Sequence, residues 1–224
     1  MKKSSLSTAA SGIFAVLVLA ACSNATQAPL QLGAPTGGSA RPSADAQQSG
    51  RRGPSAADVH FMTGMIPHHA QAVKIARWAA THGASNAIRI LCERIVVGQN
   101  DEILVMQTWL SDHGQKVPAA DATHMRMIMN GTEHDMLMPG MLNDEELAAL
   151  EKARGVEFDR LFLNAMIKHH LGAITMVDEL FASHSAAGDD IVFKFASDVY
   201  ADQTTEIDRM QKMLAALPAD GRAP

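Results

Sequence analysis

Apolar positions recur every three or four residues along four long stretches, a period that predicts helices at about 56–82, 85–112, 156–184 and 188–215. On the first stretch Asp58, Met62, Met65, His69 and Ala72 form one stripe, and on the third Asp159, Met166 and His170 do the same. Gln99, Glu102 and Met106 make a stripe on the second, matched by Gln203, Glu206 and Met210 on the fourth. The turns His82-Gly83-Ala84-Ser85 and Ala186-Ala187-Gly188-Asp189 put Gly after a helix end and Ser or Asp before the next start, the residues that cap helices. Such short turns predict two antiparallel hairpins. Pro67 is expected near the start of the first long helix, as a bend or part of its first turn. A further short helix is expected from about Asp144 to Arg154, with Asn143 as its N-cap.

The two hairpins repeat one another. Met65-Ile66-Pro67-His68-His69 aligns with Met166-Ile167-Lys168-His169-His170 at an offset of 101, and Asp58 and Phe61 align with Asp159 and Phe162. The segment from Gln99 to Gln107 aligns with that from Gln203 to Gln211, sharing Gln-x-x-Glu-Ile-x-x-Met-Gln at an offset of 104. An ancient duplication explains two blocks in the same order at nearly the same spacing. The predicted architecture is all-α: a ferritin-like four-helix bundle of two duplicated helical hairpins joined by a long Met-rich crossover. Repeat one covers about 56–113, the crossover 114–155, repeat two about 156–215, and residues 216–224 are expected to be a disordered tail.

The helical period is missing before residue 56. Lys2 and Lys3 precede an apolar stretch from about Ala9 to Ala21, too short for a permanent membrane span, and Leu19-Ala20-Ala21-Cys22 resembles a bacterial lipobox. Residues 1–22 therefore read as a lipoprotein signal ending at the acylated Cys22, and 23–57 as a flexible Ser/Gly/Pro/Ala tether. The expected location is outside the cytoplasm, lipid-anchored to the bacterial envelope on its periplasmic or outer face. Charge agrees with this division. Five of the 19 basic residues but one of the 24 acids fall before residue 55, so the remainder is net acidic by nine. That argues against nucleic acid and suits a cationic ligand. Cys92 is the only thiol in the folded part and reads as a buried, inert one.

The candidate chemistry lies in histidine and methionine. Each Met-x-x-His-His offers one thioether and at least one imidazole to an interior point. Adjacent histidines point about 100° apart on a helix, so the second imidazole bridges to a neighbouring helix or supports the first. Met62 and His60 extend the first cluster. Asp58, Asp159, Glu102, Glu206, Gln99 and Gln203 are candidates to orient the imidazoles, with helix capping an equal alternative for the two aspartates. The crossover adds His124, Met125, Met127, Met129, His134, Met136, Met138 and Met141; six of the chain's 14 methionines fall within its residues 125–141. Alternating Met125, Met127 and Met129 would line one side of an extended segment. Thioethers and imidazoles together select a soft ion, copper as Cu(I) above all. His82, His113 and His184 lie near helix ends, where the helix dipole is reason enough for them. No His has Glu three residues before it, so the Glu-x-x-His ligand pattern of di-iron bundles is missing, as are phosphate-loop and nucleophile-elbow motifs.

On Asp58–Phe61 with Met65-Ile66-Pro67-His68-His69, Phe158–Phe162 with Met166-Ile167-Lys168-His169-His170, the repeated Gln-x-x-Glu-Ile-x-x-Met and the Met-rich crossover, the chain resembles the bacterial family called domain of unknown function 305. The resemblance spans about residues 56–215. It implies a ferritin-like helical fold, export and, in some members, copper binding or copper tolerance. Lys168 stands where the first copy has Pro67, and a cation there would weaken the second pair as a metal site if it pointed inward. The leading expectation is an exported copper-binding protein that sequesters or hands on Cu(I), alone, as a homodimer or with a copper-handling partner protein. A metal-dependent oxidoreductase of the envelope and a metal-free structural bundle are the alternatives.

Overall fold

The structure, a computed structural model, describes residues 53–129, 131–183 and 189–218, excepting the side chains of Ile128 and Met129. The expected signal ending at Cys22, the expected tether as far as residue 52, His184 with the expected turn Ala186-Ala187-Gly188, and the expected tail from residue 219 lie outside the described residues.

Helix α1 (Ala56–Arg77) opens on a reciprocal cap: Asp58 N–H donates to Ser55 Oγ (3.0 Å) and Ser55 N–H to Asp58 Oδ2 (3.1 Å). Pro67 sits inside this helix rather than at its start. A proline there removes one backbone hydrogen bond, and the surroundings compensate, because every residue from 64 to 73 is buried. A short 3₁₀ turn, Trp78–Ala80, replaces the last turn expected for this helix. Helix α2 (Asn86–Asp112) follows, capped by Ser85.

The crossover is not all-helical. Strands β1 (Met125–Met129) and β2 (Thr132–Met136) form an antiparallel hairpin, with Met127 opposite His134 and Gly131 in the turn at φ 79°. The extended segment at Met125–Met129 was expected from its alternation; its partner strand was not. All five residues of β2 are exposed, so it carries no apolar alternation to signal a strand. Helix α3 (Asp144–Lys152) starts on a capping box between Asn143 and Glu146. Helices α4 (Gly155–Ala182) and α5 (Asp190–Ala215) complete the chain, the latter capped by Asp189. No helix among the described residues is long and apolar enough to cross a membrane.

Helix α1 packs on α2, α4 on α5, and α1 on α4. Two apolar clusters form. One gathers Ile75, Ile88, Leu91, Phe158, Phe162 and Met210. The other gathers Phe61, Met62, Met106, Trp109, Val177 and Val192. On α2, α4 and α5 a polar pair falls between the stretches that feed the two clusters, Gln99/Glu102, His169/His170 and Gln203/Glu206, and on α1 His68/His69 lies at the end of the stretch that feeds the second cluster, just before Ala72 of the first. The protein thus carries a layer of polar side chains across the middle of its apolar interior.

Candidate metal centre

Both histidines of each pair are completely buried, although they point about 100° apart around their helix. Two different neighbours make that compatible. His69 turns to α2, its Nε2 2.8 Å from Glu102 Oε2 but off the line of a good hydrogen bond. His170 turns to α5 and donates from Nε2 to Glu206 Oε2 at 2.7 Å. His68 and His169 face each other across α1 and α4, their ring centroids 3.8 Å apart. The crossover covers them: His68 Nε2–H donates to the carbonyl of Pro139 at 3.0 Å.

That cover is held at two further points. The Gln71 side-chain amide donates to Leu142 C=O (2.9 Å) and accepts from Leu142 N–H (2.7 Å). On α4, Gly172 lets the crossover backbone lie directly on the helix; a Cβ there would fall 1.9 Å from the Pro139 carbonyl oxygen. Gly140, at φ 76°, allows the sharp turn this requires. Gly64 does the same for side chains, since its missing Cβ leaves room for the Met125 and Met138 sulfurs, each 3.4 Å from that point. Gln71, Pro139, Gly140 and Gly172 were not among the residues expected to matter. A glycine in mid-helix with no turn to make is the one signal that pointed to such a close approach.

These contacts fix the chemistry of the imidazoles. The Pro139 carbonyl beside Nε2 of His68 receives that nitrogen's N–H and leaves Nδ1 of the neutral ring bare. Nδ1 of His68, His69 and His170 has no hydrogen-bond partner, and neither nitrogen of His169 has one. Burial drives His68 toward the neutral form, its pKa pushed down to about 3, with His69 adding repulsion. His169 is held well below the ordinary range by burial and then by His68. Neutral imidazoles with one nitrogen anchored and the other open are the form in which histidine binds metal. Thioethers share the interior: Met62, Met65, Met106, Met166 and Met210 are fully buried. Met65 precedes His69 by one helical turn, as Met166 precedes His170. Among the described residues no three His, Cys, Asp or Glu side chains converge at metal-holding distance.

The other candidates are scattered more widely. His60, His124, His134 and Met136 are exposed, Met127 and Met138 half-buried, Met125 and Met141 buried; the Met129 side chain lies outside the described residues. The Met141 sulfur accepts the Met138 N–H at 3.2 Å. Asp58 serves the α1 cap, and both carboxylate oxygens of Asp159 accept the Ser85 N–H at 3.2 Å, tying α4 to the start of α2. Gln99 and Gln203 are buried in the polar layer, both amide atoms of Gln99 and Oε1 of Gln203 without partners. Lys168 points outward and pairs with Glu146 at 2.6 Å. His82, just past the 3₁₀ turn, is buried, bonded to the Glu151 carbonyl at 2.8 Å and packed between Trp78 and Phe158. Cys92 is buried, which with the nearby Asp159 and Glu93 pushes its thiol pKa up to about 12.

Solved structures with this arrangement of helices are known. A DUF305 fragment from Deinococcus radiodurans is 25% identical with a TM-score of 0.60, the match covering 74% of this chain and all of that one. A DUF305 protein from Streptomyces coelicolor, which carries a provisional description as secreted, is 26% identical with a TM-score of 0.58, covering 71% and 92%. CopM in its Cu(I)-bound form is 26% identical with a TM-score of 0.52, covering 70% and 94%. No curated protein sequence matches. The profile of the family described as domain of unknown function (DUF305) matches residues 58–214. With that match over most of its length, and mostly helical neighbours from the same family, this chain belongs to the DUF305 family.

Proposed function

We propose that the protein is an exported copper-binding protein that holds Cu(I) on imidazole and thioether groups of its interior and crossover, for sequestration, tolerance or transfer. One observation carries the reading. Four buried imidazoles each present at least one ring nitrogen with no hydrogen-bond partner, three of them with Nε2 beside a carboxylate or a carbonyl. Buried polar atoms left unpaired cost about 1–3 kcal/mol each, and a bound cation removes that cost. Lone pairs lie in the ring plane, so a cation would sit at the ring edges and not between the faces of His68 and His169, whose rings are tilted by 42°. Thioethers favour a soft ion, and Met65, Met166 and the crossover sulfurs of Met125, Met138 and Met141 are the further donors. Solved forms of CopM with Cu(I), Cu(II) and silver support a soft metal for this chain as well.

The wider architecture goes with this reading. Corresponding contacts, His69 to Glu102 and His170 to Glu206, support an ancestral hairpin that duplicated into a ferritin-like four-helix bundle. Export through the signal at residues 1–22 and anchoring at Cys22 would set the site at the envelope, where thioethers outlast thiolates. Competition of the exported protein against a Cu(I) chelator tests the proposal. One copper or more per chain is expected, lost when His68 and His169 are both replaced by Ala. Less than one copper per chain sinks it.

A further inference from the structure

Between α2 and α5, on the face away from the crossover, lies an open cleft of about 240 Å³. Its walls include Glu102, Glu206 and Asp202, with Arg94 as the one basic residue, and it is lined as well by the buried amides of Gln99 and Gln203. The two glutamates reach both ways. Their side chains are 23% and 28% exposed, yet each has an oxygen within 2.8 Å of a fully buried imidazole nitrogen. A carboxylate is hydrated on the cleft side and touches imidazole on the other, so it spans the boundary between solvent and the polar layer. Repulsion from Glu102 and Glu206, after burial, raises the pKa of Asp202, which places all three carboxyl groups in one negative field. Acidic walls alone would be an ordinary solvated surface. The Gln99 amide distinguishes this cleft: it is 4% exposed, lines the cavity, and has no partner for either its oxygen or its nitrogen.

We propose that this cleft is the inlet through which a cation reaches the histidine layer, drawn by Asp202, received by Glu102 and Glu206, and steadied by the amide oxygens of Gln99 and Gln203. The idea rests on the copper-binding reading and adds a route to it. The crossover closes the opposite approach, since Pro139 and Leu142 lie directly on α1 and α4. Oxygen ligands hold Cu(I) weakly, so the inlet passes the ion on to nitrogen and sulfur instead of retaining it. A feature that stabilises the ion in transit lowers the barrier in both directions, and it therefore speeds loading and release together while changing the equilibrium much less.

The test is stopped-flow loading of the exported protein with Cu(I) supplied as its acetonitrile complex, with release measured into excess chelator. At low ionic strength, Asp202→Asn is expected to slow loading and release by about 2–5-fold each, and Arg94→Gln to speed both by a similar factor. Both effects should fade as salt shortens the Debye length. Asp178→Asn, exposed on α4 and outside the cleft lining, should change the rates less than Asp202→Asn does. Rates of the Asp202 and Arg94 variants equal to those of the unsubstituted protein, or shifted in the same direction, overturn the inlet while leaving the metal site standing. Failure of the unsubstituted protein to take up copper overturns both.

Discussion

Gly172→Ala is the sharpest test of how the crossover is seated. The added Cβ would lie 1.9 Å from the Pro139 oxygen and 2.4 Å from its carbonyl carbon, backbone atoms that cannot swing aside as a side chain would. The crossover must retreat by about 1.5 Å to restore ordinary contact. That retreat strains or breaks three hydrogen bonds: His68 to Pro139, and the reciprocal two between Gln71 and Leu142. At about 1 kcal/mol each they amount to about 3 kcal/mol. Partial exposure of Leu142, now 1% exposed, adds about 1 kcal/mol. The better helix propensity of Ala returns about 1 kcal/mol. The net loss is about 3 kcal/mol, or about 10 °C in Tm for a domain of this size. Gly98→Ala supplies the contrast. It is also inside a helix, but nothing lies within 4 Å of its missing Cβ, so the propensity gain of about 1 kcal/mol stands alone. Urea denaturation of both variants, followed by helical circular dichroism, reads the difference. Two variants within about 1 kcal/mol of each other would show that the crossover does not rest on α4 as described.

Acid should unfold the protein through its central histidines. His68 titrates near 3 when folded and His169 well below its ordinary range, while both return to about 6.5 when unfolded. The unfolded chain then binds more protons below about pH 6.5, so stability is full above that value and falls by up to about 1.4 kcal/mol per pH unit for each imidazole down to the folded pKa. Urea midpoints measured from about pH 7 to about pH 4.5 should drop accordingly, and replacing His68 and His169 by Gln should flatten the slope; an unchanged slope refutes the assignment. Cys92, with its thiol pushed up to about 12, should be alkylated at least about 100-fold more slowly in the native protein than in urea, as read by mass spectrometry of the peptide that contains it. Equal rates in the two states would refute its burial.

The long helices, their caps and the paired histidines were legible in the chain because each has a local cause. A period of 3.6 marks a helix with one buried stripe, and Ser85, Asn143 and Asp189 cap through side chains two or three residues from their partners. The pairing of Glu102 with His69 and of Glu206 with His170 was foreshadowed by the recurrence of the same residues on matching stripes, where buried polar side chains need partners. Local pattern failed where burial came from elsewhere in the chain. Pro67 remains inside α1, and His68 is buried as fully as His69, because the crossover closes over a side of the helix that a simple amphipathic stripe would leave to solvent. The hairpin strand β2 has no buried face and so left no apolar alternation to read. What the sequence by itself determined is the helical framework and the inventory of imidazoles and thioethers. Only the tertiary structure decided which ring nitrogens have a partner and which have none, because that depends on Pro139, which meets His68 some 70 residues farther along the chain, and on the carboxylates that α2 and α5 bring beside His69 and His170.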